Sequence, residues 1–171
     1  MFFIGVISKK NKYDLLKEML QKSCNMNKVS LISINSRSIN NLKNVRFDSI
    51  VILDSIKKMD LDKNESNNLE NLKEICAKTK YLLLDSDIKI ETNIFNNIKL
   101  NIITFGLNHK SSITISSITD ESILISVQRA FENIKGNIFE VGEYNEIIDN
   151  KFSKNIKVIL SFFIIKSITK V

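Results

Sequence analysis

The chain has 171 residues, 43% hydrophobic and 26% charged, which suits one domain with enough length to bury a real core. Its net charge of +6 comes from lysines scattered among Asp and Glu, with no aromatic residues interleaved as stacking platforms. That pattern argues for a solvated basic surface and against a nucleic-acid interface. Two distant cysteines, Cys24 and Cys76, exclude a disulfide framework and a CxxC zinc site, and each reads as a small buried hydrophobe.

Phe2 to Ile7 predicts a short buried strand, and Tyr13 to Leu20 an amphipathic helix. Between them, Ser8-Lys9-Lys10-Asn11-Lys12 occupies the place where a phosphate-binding loop would sit. Such a loop needs glycines, so that backbone N–H groups can close on phosphate oxygens, and a Ser or Thr after its lysine to hold magnesium. Here Lys12 is in a plausible position, but no glycine follows Gly5 and the next residue is Tyr13.

Lys28 to Ser33 and Phe47 to Asp54 predict two further strands, with a helical turn within Ser36 to Asn44. Lys57 to Ser66 reads as a polar surface loop, and Asp60, Asp62 and Glu65 in it as a solvated acidic turn. A helix is expected from about Asn68 to Lys78, with Leu69, Leu72, Ile75 and Cys76 on one face and Asn67 with Glu70 as a capping box. Tyr81 to Leu84 makes the next strand, ending at Asp85-Ser86-Asp87. Continuously apolar strands separated by helices imply a mostly parallel sheet covered on both faces, with ligands bound beyond the carboxyl ends of its strands. Lys12, Asp54, Asp85 and Asp87 are therefore the candidate ligand-binding residues, carboxylates at strand ends suiting magnesium or a ribose; loops that are polar only because they are exposed fit the same residues equally well.

The second half changes character. Leu100 to Phe105 is a strand, and Ser111 to Thr119, Ile123 to Gln128 and Ile138 to Ile148 read as antiparallel strands with one wet face. Ser153 to Val171 is ambiguous, β-branched yet with Ile156, Ile159, Leu160, Phe163 and Ile164 at helical spacing. His109 reads as a surface residue, Gln128-Arg129 as a strand-end pair able to meet an anion, and Phe139, Tyr144, Phe152, Phe162 and Phe163 as core or interface. The apolar start is too short for a signal peptide and Val158 to Ile165 too short to span a membrane, so a cytoplasmic protein is expected.

Several strings in order resemble the central, ATP-binding domain of the Mur ligases. Ile4-Gly5-Val6-Ile7-Ser8-Lys9-Lys10-Asn11-Lys12-Tyr13-Asp14 lies on the frame of that family's phosphate loop, and Asp54 stands where the family has an acidic strand end. Met59 to Ser66 lies on its D-H-L-D loop, Leu83-Leu84-Asp85-Ser86-Asp87 partly matches V-I-N-A-D-D, and Ile103-Thr104-Phe105-Gly106-Leu107 matches I-T-Y-G-L best. The resemblance implies a single P-loop-like α/β domain over residues 1–171. It has alternating strands and helices to about residue 90, mainly antiparallel strands over 100–150 and a C-terminal helix over 154–170.

The departures fall on the chemistry. The loop glycines are Ser8 and Asn11, the magnesium-binding Thr is Tyr13, and both histidines of the D-H-L-D-x-H string are missing. The triphosphate of ATP is held by charge-assisted bonds, each worth about 1.5–3 kcal/mol, so Lys12 alone would give only a weak, salt-sensitive contact. The expectation is weak or absent ATP binding, no cofactor, no catalytic residue, and a role as a binding or interaction module for an unidentified protein partner. Self-association stays open. One alternative is an enzyme or sensor that binds a small anion at the strand ends. The weaker one is nucleic-acid binding through the basic surface.

Overall fold

A computed structural model describes residues 1–23, 28–56, 66–89 and 92–169. Cys24 and the string from Met59 to Glu65, with Asp60, Asp62 and Glu65, lie outside the described residues. Parallel strands β1 (Phe2–Ile7), β2 (Val29–Ser33), β3 (Ser49–Ile52), β4 (Tyr81–Asp85) and β5 (Asn101–Phe105) are followed by β6 (Ile113–Ile118) and β7 (Ser122–Val127). Next come the two-residue strands β8 (Phe131–Glu132) and β9 (Ile138–Phe139), and finally β10 (Gly142–Ile147). Eight of these form one sheet in the order β10-β7-β6-β5-β4-β3-β1-β2, while β8 and β9 pair separately. The sheet is parallel from β2 through β6. The β6–β7 and β7–β10 pairings are antiparallel, which gives the expected extension in the second half.

The helices are α1 (Lys10–Lys22), α2 (Ile39–Leu42), α3 (Ser66–Ala77) and α4 (Ile156–Ile168), with a 3-10 turn over Thr92–Phe95. Alternation along the strands feeds two cores. Ile4, Val6, Val51, Leu53, Tyr81 and Leu83 point to the face covered by α1 and α4. Ile7, Ile50, Ile52 and Leu82 point to the face covered by α2 and α3. Both faces are dry, which is why these strands read as unbroken apolar runs. Leu72, Ile75 and Cys76 of α3 are buried as expected. The helix starts at Ser66, so Asn67 sits in its first turn rather than ahead of it.

The ambiguous C-terminal segment is helical from Ile156. Val158 through Ile165 are buried all round, so it has no polar face for a period to reveal. Its outer side is sealed by aromatic rings. Phe139 stacks on Phe131 at 5.1 Å, and both Phe139 and Tyr144 meet Phe163, at 5.7 and 5.8 Å. This accounts for one difference from the sequence reading: the strand expected over 138–148 is broken at residues 140–141. Its first part leaves the main sheet as β9 to cover α4, and β10 returns to the sheet edge. Among the described residues no helix is long and apolar enough to cross a membrane.

Candidate functional site

From β1 the chain goes to β2 on one side, while β3 lies on the other, so the topology reverses between β1 and β3. In open α/β sheets the crevice beyond the strands at such a point is the usual ligand site. The loop expected over Ser8–Lys12 is not there. Helix α1 begins at Lys10, which leaves only Ser8 and Lys9 to join strand and helix, too few to wrap a phosphate.

Asp54 lies two residues beyond β3 and faces this junction. Its Oδ2 accepts the Lys9 backbone N–H at 2.8 Å, and its Oδ1 meets Lys12 Nζ at 2.8 Å. Lys12 Nζ also donates to the Leu53 carbonyl at 2.8 Å. The ammonium and the backbone N–H that a phosphate would use are thus both held by a carboxylate of the chain itself. Tyr13, in the magnesium-ligand position of the resemblance, turns away and donates its hydroxyl to the Leu31 carbonyl at 2.9 Å.

A second cluster sits beyond β4 and β5. Asp85, the last residue of β4, is fully buried, and Lys157 from the first turn of α4 lies 2.9 Å from its Oδ1 and 2.8 Å from its Oδ2. Oδ2 receives no donor along a hydrogen-bonding direction among the described residues, so that second contact is ionic only. Lys157 Nζ also lies 3.3 Å from Asp87 Oδ2. Asp87 in turn accepts the backbone N–H groups of Leu107 at 2.8 Å and Asn108 at 3.1 Å. These adjacent N–H groups form an anion-binding concavity, and Asp87 fills it.

Burial pushes the Asp85 carboxyl above the usual range, against the pull of Lys157. Burial would also raise Asp87, but the two N–H groups and Lys157 outweigh it and the net shift is downward. Burial disfavours the charged Lys157, yet its two carboxylates win and hold it above its ordinary value. Lys157 therefore stays an ammonium between two carboxylates, where a magnesium ion would have to stand. Among the described residues no group of three or more His, Cys, Asp or Glu is arranged to hold a metal.

The surrounding loop is tied down. Ser86 Oγ and Ser111 Oγ share a hydrogen bond at 2.6 Å. The Gln128 amide, with its nitrogen toward them, donates to the His109 and Ser111 carbonyls at 2.8 and 2.9 Å. Gly106 is buried where any Cβ would come within 2.7 Å of Ser86 Oγ and 2.9 Å of Asp87 Oδ2. His109 and Arg129 are exposed.

All four residues singled out from the sequence lie at the carboxyl side of the sheet, but as two separate clusters: Lys12 with Asp54, and Asp85 with Asp87. Sequence reasoning missed Lys157, which joins the second pair. Its signal was a lone lysine heading an apolar helix. No protein-family profile and no curated protein matches this chain.

Proposed function

We propose that the chain is a non-catalytic relative of the Mur ligase central domain that works as a binding or interaction module, its nucleotide crevice filled by its own side chains. The observation that carries this reading is Asp54, which takes both the Lys12 ammonium and the Lys9 N–H. The order of elements supports the resemblance: parallel strands with helices, then antiparallel strands, then a helix. A small-anion sensor at the same strand ends would need those donors free, and here each is neutralised within the chain.

Calorimetric titration with ATP, with and without magnesium, tests the reading. No heat of binding at millimolar ATP is expected. Micromolar, magnesium-dependent binding would overturn it, because a few charge-assisted bonds rebuilt at the site would suffice for that affinity.

A further inference from the structure

We infer that the chain self-associates through the open edge of its sheet, β10 pairing antiparallel with β10 of a second copy about a two-fold axis at Tyr144. The sheet has two edges, and they are treated differently. At the β2 edge, Phe2 N–H bonds the Lys28 carbonyl and Ile34 N–H bonds the Val6 carbonyl, so the even-numbered residues face β1 and Leu31 and Ser33 face outward. Of the three outward residues Val29, Leu31 and Ser33, two have their carbonyls occupied, Leu31 by the Tyr13 hydroxyl at 2.9 Å and Ser33 by Ser38 Oγ at 3.0 Å. Side chains that occupy an edge in this way keep other strands off it.

Among the described residues the β10 edge has no such capping of its outward backbone groups. Gly142, Tyr144 and Glu146 pair with β7 at Val127, Ile125 and Ile123, and Ile148 N–H continues the ladder to the Glu121 carbonyl. The alternate residues Glu143, Asn145 and Ile147 therefore direct their backbone groups outward, and no other described segment bonds to them. This edge carries no Lys or Pro over Gly142–Ile147, and Ile147 at its end is 82% exposed, while Val141 just before it is 60% exposed. A long edge with unpaired N–H and C=O groups and apolar ends is a template for another strand.

The row is complementary to itself. With the two-fold axis at Tyr144, Glu143 stands opposite Asn145 of the second copy, Glu146 opposite its Gly142, and Ile147 opposite its Val141. Both exposed apolar residues are thus covered twice, and no carboxylate faces another across the seam. Glu146 is already neutralised by Lys166, and Glu143 is held by Ser116 Oγ at 2.6 Å. Because two of the outward carbonyls of the β2 edge are capped, head-to-tail pairing of β10 onto β2 of the next copy is disfavoured, and the isologous pairing closes as a dimer rather than growing into a fibre.

Sedimentation of the full chain at tens of micromolar tests this, alongside Asn145→Pro and Ile147→Lys. Asn145 gives its N–H to no strand within the chain, so proline there removes only the intermolecular ladder, and Ile147 is exposed enough for lysine to leave the core untouched. The native chain should sediment at about twice its 19.6 kDa mass with a thermal midpoint that rises with protein concentration, and both variants at the monomer mass with a cooperative midpoint that does not depend on concentration. If Asn145→Pro alone unfolds, Ile147→Lys decides. A native monomer would overturn the inference and leave the edge to a strand of another protein, and a dimer that survives Ile147→Lys would overturn it equally. Nucleotide titration does not bear on this result, so its failure and that of the proposed function are separable.

Discussion

Replacing Lys157 by methionine isolates the electrostatics of the second cluster. Methionine keeps most of the apolar stem, so the loss is chiefly the ammonium and its contacts at 2.8 and 2.9 Å to Asp85 and 3.3 Å to Asp87. Removing one partner of a buried pair costs about 3–5 kcal/mol, because the other charge is left buried and uncompensated. Asp85 is fully buried but the Lys157 side chain is 28% exposed, so water reaches one end of the pair and the low end, about 3 kcal/mol, is expected at pH 7. For a domain of this size that is roughly 6–12 °C in thermal midpoint.

The pH dependence distinguishes this from a packing defect. Asp85 already has its pKa raised by burial, and without Lys157 it rises further. A carboxyl whose folded pKa lies above its unfolded value near 3.9 destabilises the fold as pH rises between the two, by about 1.4 kcal/mol per unit. The cost of Lys157→Met should therefore shrink steadily as pH falls from 7 toward 4.5, and Asp85→Asn in the same background should recover most of it at pH 7. Urea denaturation of the native chain, the single variant and the double variant across that range measures both effects. A cost under about 1 kcal/mol at pH 7, or one that stays constant down to pH 4.5, would refute the reasoning.

Three further outcomes follow from the same geometry. Asp54→Ala frees the Lys12 ammonium and the Lys9 N–H, so calorimetry at low salt should show pyrophosphate binding at least about tenfold tighter than to the native chain, each recovered charge-assisted bond being worth about 1.5–3 kcal/mol. Burial pushes the Cys76 thiol up to about 12, so mass spectrometry after iodoacetamide treatment at pH 8 should find it unmodified in the folded chain and alkylated in urea. Gly106→Ala would set a methyl against Ser86 and Asp87 and lift the carboxylate off the Leu107 and Asn108 N–H groups. Thermal unfolding should record a loss of about 1–3 kcal/mol.

The parallel half of the fold was legible because burial on both faces leaves a direct mark: Ile4 to Ile7, Ile50 to Leu53 and Leu82 to Leu84 are apolar without interruption. Where the reading failed, a distant partner decided the local structure. Nothing near Lys10 announces a helix start. Lys9, the residue before α1, makes no side-chain cap, and its N–H is satisfied by Asp54, 45 residues away. The break between β9 and β10 has a similar origin, since Phe139 leaves the sheet to stack on Phe131 and cover Phe163. The helical character of α4 rested on the family resemblance rather than on periodicity, because a helix enclosed on all sides carries no amphipathic signal.

The candidate site was half legible for a related reason. A residue at the carboxyl end of a strand can be placed from sequence, but whether it is free for a ligand depends on groups the sequence does not put beside it. Asp54 and Asp87 each sit on donors that suit an anion, a backbone N–H with an ammonium in one case and two backbone N–H groups with an ammonium in the other. A free phosphate would have to displace a carboxylate that is covalently part of the same chain and so acts at a high effective concentration. It would also have to leave that displaced carboxylate charged and close by. Both costs fall on the ligand, and neither is offset by glycine N–H groups wrapping the phosphate, since only two residues lie between β1 and α1. Largely buried ion pairs are poor devices for stability alone, so the two at the carboxyl ends of these strands are better explained as fixing the strand-end geometry.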